Sequence, residues 1–166
     1  LEFLNFKNEN LIYIGDTEGQ AETAAESLKF INSNSEPVFF HNSDTILINR
    51  NIDKIAKSIS KEYSAYIDVF YGDSPKYSYV KKKKIISKYA SSGLYGFKSK
   101  DIYLNYYSQL KKNEGELFIS NVLEKMLKKN EKVITNTISP DDKTIVLGSP
   151  EEYGVEITRN IIEKNE

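Results

Sequence analysis

The sequence predicts an α/β domain on a mixed, mostly parallel sheet flanked by helices, and three observations carry that reading. Short apolar runs alternate with stretches of helical periodicity through the first third of the chain. A β-rich middle follows, which favours strands gathered into one sheet. With 39% of its 166 residues hydrophobic, the chain can bury one real core, and no repeat or linker divides it, so residues 1–166 are read as a single domain.

Each element has its own local reason. "LIYI" at 11–14 is a short apolar run ending in Gly15, which reads as a buried strand entering a turn. From Gln20 to about Asn32, Ala21, Ala24, Ala25, Leu28 and Ile31 recur at three- and four-residue spacing, the mark of an amphipathic helix, and Thr17 with Gln20 has the spacing of a capping box. "PVFFHNSD" at 37–44 reads as a second buried strand, opened by Pro37 and ended by Asn42, Ser43 and Asp44. Ile52, Ile55, Ala56 and Ile59 then make one helical face. "AYIDVFY" at 65–71 and "KYSYVK" at 76–81 are strands around the turn signal "GDSP", and 89–99 is a strand interrupted by Gly93 and Gly96. Two helices are expected at 99–112 and 116–129. Tyr103, Tyr106 and Tyr107 share the first with Leu104 and Leu110, their rings packed and their hydroxyls reaching the surface. The second is patterned by Glu116, Ile119, Val122, Leu123 and Met126. "KVITNTIS", "KTIVLG" and a helix with Pro150 in its first turn complete the chain.

Composition excludes several classes of function. The 23 basic and 24 acidic residues leave a net charge of −1, so no whole-molecule field draws in nucleic acid or an anionic membrane. Without cysteine there are no disulfides and no thiolate metal sites. No apolar run is long enough to span a bilayer or to serve as a signal peptide, and a cytoplasmic location is the default expectation. The chain opens on Leu1 and quickly reaches an apolar stretch, which reads as the middle of a protein.

In open α/β sheets, ligands bind beyond the carboxyl ends of strands, where loops and helix N-termini converge. Two loops qualify. In residues 15–20, two glycines let backbone N–H groups approach a flat or anionic ligand at a helix start. In "HNSDT", 41–45, Asp44 ends an apolar strand and is a candidate Mg²⁺ ligand, since that ion takes one or two carboxylates plus phosphate oxygens. The plainer alternative is that Asp44 or Ser43 caps the next helix and Gly15 merely ends a strand. His41, on the same strand, reads either as a satisfied core histidine or as a neighbour of the metal. The lysines at 81–84 read as a solvated face or as a phosphate-binding patch; Tyr77, Tyr79 and Tyr89 beside them could stack on bases, but the near-neutral charge argues against a nucleic-acid footprint.

"TEGQAETA" (17–24), "FFHNSDTIL" (39–47), "YSYVK", "ISKYASSGLYGFKS" (86–99), "GELFISNVLEKMLKKNEKV" and "LGSPEEY" (147–153) resemble, in order, the blocks of the sugar-phosphate nucleotidyltransferases, above all the branch associated with surface or capsular polysaccharide synthesis. The resemblance implies a GT-A-like nucleotide-diphospho-sugar transferase fold that condenses a nucleoside triphosphate with a sugar 1-phosphate and releases pyrophosphate. It further implies that Gly19, Gln20 and Ala21 form the base pocket with Asn42 as a nucleotide contact. Asp44 would hold Mg²⁺ on the α-phosphate, Lys83 or Lys84 would supply a cation for the sugar phosphate, and Ser92, Gly93 and Tyr95 would line the sugar pocket, with Gly93 leaving room for the ring.

Chemistry of this kind rests on positioning and charge neutralisation, with no protein nucleophile. Three departures from the family pattern stand out. The sequence has no G-x-G-x-R loop, which implies an N-terminally truncated version lacking its first strand, loop and helix; Lys82 stands where a sugar-binding Glu is usual; and Val146 stands where many members carry a second metal-binding Asp. Two readings follow: an enzyme of this class, possible as a homo-oligomer, with no nucleic-acid or membrane partner; or a non-catalytic nucleotide- or sugar-binding domain of the same fold.

Overall fold

The computed structural model describes residues 11–72, 79–81, 84–110 and 115–163. Helix α1 (Gln20–Ser27) runs into a 3-10 turn, Leu28–Phe30, and is followed by β1 (Val38–His41), β2 (Thr45–Ile48), α2 (Ile52–Lys61) and β3 (Ala65–Tyr71). Then come β4 (Tyr79–Lys81), β5 (Lys84–Ser87), β6 (Tyr89–Phe97), α3 (Lys100–Tyr107), α4 (Ile119–Lys128), β7 (Val133–Thr135), β8 (Lys143–Val146) and α5 (Pro150–Glu163).

The main sheet has the order β1-β6-β3-β7. β6 is antiparallel to both β1 and β3, whereas β3 and β7 are parallel. Three of the four strands therefore point the same way and β6 alone opposes them. The sheet is mixed, as expected, with parallel direction dominant but only one parallel ladder among those described. Small two-stranded sheets, β2 with β8 and β4 with β5, stand apart from it.

Strand alternation sorts the sheet into two faces. Val38, Phe40, Ala65, Ile67, Tyr95, Phe97 and Val133 meet α1, α3 and α4, where Ala21, Ala24, Ala25, Leu28, Val122 and Met126 bury the helix stripes expected of them. Phe39, Tyr66, Leu94 and Ile134 face the other way, onto Ile55 and Ile59 of α2 and Leu47. Each large apolar side chain buried this way contributes about 1.5–3 kcal/mol of transfer free energy. Phe97 meets Tyr103 edge-on at 4.8 Å between centroids.

Several expectations are corrected. No strand forms at 11–14: Leu11, Ile12 and Tyr13 are 43%, 48% and 91% exposed, and no described strand pairs with them. The Thr17–Gln20 capping box is absent, because the N-cap of α1 is Gly19 and Thr17 instead pairs with Thr23. The expected strand at 37–44 ends at His41, and residues 45–48 form a strand of their own because β8 offers them a partner. β6 is not broken by its glycines. Its register slips against β3 instead, so that 92–94 stand opposite Asp68 alone, a bulge that absorbs Gly93 at φ +84°. Ser99 caps α3 through the Ile102 N–H, and α4 starts after Glu116, with Phe118 at its N-cap. The Tyr103 hydroxyl does not reach the surface but donates to the Ala21 carbonyl at 2.8 Å, in full burial.

Candidate functional site

Four loops meet at the carboxyl end of β1. The bend before α1 carries Gly19 and Gln20; the turn after β1 carries Asn42, Ser43 and Asp44; the bulge of β6 carries Gly93; and the turn after β8 carries Gly148. They are joined by hydrogen bonds. Gln20 Nε2 donates to Asn42 Oδ1 at 2.8 Å, and Gln20 Oε1 accepts the Ile119 N–H at 3.3 Å. The Asn42 N–H donates to the Gly93 carbonyl at 3.1 Å, and the Leu147 N–H to the Asp44 carbonyl at 2.7 Å. The two loops singled out in the sequence are thus brought to one edge of the sheet.

Asp44 is exposed and begins no helix: α2 is capped by Asn51, whose side chain accepts from the Lys54 N–H at 2.9 Å. The capping alternative for Asp44 and Ser43 therefore fails. Asp44 Oδ2 lies 3.0 Å from where a Cβ on Gly148 would stand, and Glu152 Oε2 lies 3.9 Å from the same point. Among the described residues no three carboxylate or imidazole side chains cluster. A lone exposed carboxylate nonetheless suits Mg²⁺, which keeps several waters and takes its remaining oxygens from a bound phosphate. His41 is exposed, which corrects the core reading.

Other expected contacts land differently. Gly19 does hold a glycine-only conformation, φ +150°, but the space its Cβ would fill is taken by Glu116 Cγ and the Leu117 carbonyl, both at 2.9 Å. Ala21 has no exposed surface; its N–H donates to the Leu117 carbonyl at 2.9 Å, so it is a core residue and cannot touch a base. At Gly93 a Cβ would meet Asn42 Cγ at 2.7 Å, so the room this glycine makes is filled by Asn42, not left for a sugar ring. Ser92 and Tyr95 are 3% and 6% exposed, and the Tyr95 hydroxyl accepts from the Ser91 hydroxyl at 3.0 Å, so neither side chain is open to a sugar. Lys82 and Lys83 lie outside the described residues.

No local pattern points to the polar network behind β3. Arg50 Nε donates to the fully buried Asp68 Oδ1 at 2.9 Å, Arg50 Nη1 lies 3.4 Å from Asp142, and the Tyr66 hydroxyl donates to Asp68 Oδ1 at 2.6 Å. Burial, and then the Asp68 carboxylate, push the Tyr66 hydroxyl far above its ordinary pKa. A buried Asp in a strand shows itself in sequence only once its partner Arg, eighteen residues away, is known to fold onto it.

No family model and no curated protein matches the sequence. Solved structures do. A nucleoside-diphosphate-sugar pyrophosphorylase from Vibrio cholerae RC9 is 26% identical, with a TM-score of 0.68 over 84% of this chain and 65% of that one. A UDP-glucose pyrophosphorylase complexed with UDP-glucose matches at 16% identity and a TM-score of 0.70, over 92% and 65%. The inositol-1-phosphate CTP transferase from T. maritima matches at 16% and 0.62, over 81% and 58%. The fold is that of the nucleotide-diphospho-sugar transferases, and this chain spans less than two thirds of the length of each of these neighbours.

Proposed function

We propose that the protein is a sugar-phosphate nucleotidyltransferase, joining a nucleoside triphosphate to a sugar 1-phosphate with loss of pyrophosphate, and that its product serves surface polysaccharide synthesis. The observation that carries this reading is the junction of the 17–21 bend with the Asp44 loop through Gln20 and Asn42, in a fold shared with pyrophosphorylases. In the proposed site Asn42 and the bend face the nucleotide. Asp44 holds the Mg²⁺, which when bound neutralises charge on the triphosphate. The bulge of β6 borders the sugar, with Lys83 as the expected cation for its phosphate. The residues then act by binding and orienting the two substrates and excluding water between them, with no protein nucleophile.

The test is Mg²⁺-dependent pyrophosphate release across CTP, UTP, dTTP and GTP paired with sugar 1-phosphates. Asp44→Ala should lower turnover by about 10²-fold or more, as loss of a charge-stabilising group does; unchanged turnover removes Asp44 from the mechanism. Failure of every pair, with nucleotide binding retained, favours the second reading: a non-catalytic nucleotide- or sugar-binding domain of the same fold.

A further inference from the structure

We propose that Gln20 does not read a base itself but sets the polarity of Asn42, leaving that amide able to offer only N–H donors to the acceptor oxygens of a bound nucleotide, one turn away from Asp44. The ligand in this statement rests on the nucleotide reading above; the polarity does not.

One group in this chain of bonds has a fixed direction. The Ile119 backbone N–H can only donate, so the Gln20 atom 3.3 Å from it must be the carbonyl oxygen. The other end of the Gln20 amide is then NH₂, and the Asn42 atom 2.8 Å from it must be the Asn42 oxygen. What remains of the Asn42 amide is Nδ2 with its hydrogens, and none of the described residues accepts from it. One backbone donor at the start of α4 thus dictates, through two side-chain amides, that a donor is left over at the carboxyl end of β1.

The position of Asn42 is as constrained as its direction. Its backbone N–H is held by the Gly93 carbonyl at 3.1 Å, and its side chain occupies the place of the missing Gly93 Cβ, with Nδ2 2.8 Å and Cγ 2.7 Å from that point. Two residues on, Asp44 offers only acceptors. The edge therefore presents amide donors suited to a carbonyl or phosphate oxygen next to a carboxylate suited to a cation, the complement of a metal-bound nucleotide. Gln20 acts through Asn42 and is a positioning residue.

Gln20→Glu tests this at constant shape. An acceptor would then face Asn42, whose amide should turn over and leave its oxygen outermost. With Mg²⁺ and each of CTP, UTP, dTTP and GTP as probe, the best-bound nucleotide should lose about tenfold or more in affinity, the worth of one hydrogen bond to a charged group. Asn42→Ala should cause a similar loss. In the Asn42→Ala background Gln20→Glu should then cost nothing further, since it would have nothing left to orient. An undiminished second loss would mean that Gln20 touches the nucleotide directly, and overturns the proposal. Side-chain amide exchange by NMR decides the polarity without any ligand. The Asn42 NH₂ should exchange rapidly with water in the wild type and more slowly in Gln20→Glu; a protected wild-type NH₂ overturns the assignment. Should Gln20→Glu fail to fold, Gln20→Met removes both donor and acceptor and leaves the Asn42 amide unoriented: nucleotide affinity should again fall, with no slowing of the Asn42 NH₂ exchange, and unchanged affinity overturns the proposal. If no nucleotide binds the wild type, the nucleotide reading falls, while the exchange rates still decide how Asn42 is turned.

Discussion

Tyr103 shows how much one side chain can be asked to do. It is fully buried, packs edge-on against Phe97, and spends its hydroxyl on the Ala21 carbonyl, tying α3 to α1 directly behind the candidate site. Burial, and secondarily Tyr107, raise its pKa well above the ordinary value. The folded state therefore holds the neutral phenol. That stability is fully present below the unfolded pKa of about 10 and is lost as pH rises toward the folded one. Tyr103→Phe should cost about 1 kcal/mol at pH 7, where the Ala21 carbonyl loses its donor. The gap between mutant and wild type should narrow above pH 10, because the phenylalanine has no proton to lose. Urea unfolding at pH 7 and in the alkaline range measures both, and a gap that widens with pH contradicts the assignment. The helical spacing of Tyr103 was legible in the sequence. The fate of its hydroxyl was not, because the acceptor lies 82 residues away in the chain.

At the scale of elements, the site depends on how closely α1 approaches the start of α4. Gly19 allows that approach: it has φ +150°, and its absent Cβ is replaced by Glu116 and Leu117. Ala21 and Gln20 then each take a backbone bond across the same seam. Gly19→Ala should destabilise the protein by about 1–3 kcal/mol, the usual cost of a side chain held in such a conformation. It should also weaken nucleotide binding more than its loss of stability accounts for, since Gln20 moves with the bend. Denaturant unfolding and nucleotide titration of the same variant separate the two effects; normal stability would mean the seam can open freely. The helices themselves were readable from periodicity. Their caps were less so: the Thr17–Gln20 spacing imitated a capping box, but Gln20 was drawn into a tertiary bond with Asn42 that a local pattern cannot reveal.

For the whole molecule, the fold is that of the nucleotide-diphospho-sugar transferases, and no helix of the described residues is long and apolar enough to cross a membrane. If the folded chain binds a nucleotide, the ligand should stabilise it by mass action, about 2.7 kcal/mol at a hundred times Kd. One nucleoside triphosphate with Mg²⁺ should therefore raise the melting temperature more than the other three, and equal shifts from all four would mean that the base is not read. Local pattern alone determined the alternation of strands and helices, the buried faces of α1 and α4, and the choice of the 15–20 and 41–45 loops, because periodicity and turn chemistry act over a few residues. Only the tertiary structure decided that 11–14 forms no strand, that Ala21 is core, that Gly93 makes room for Asn42, and that Arg50 buries Asp68. Each of those outcomes hinges on a partner many residues distant, and what a residue packs against is fixed only when the chain closes on itself.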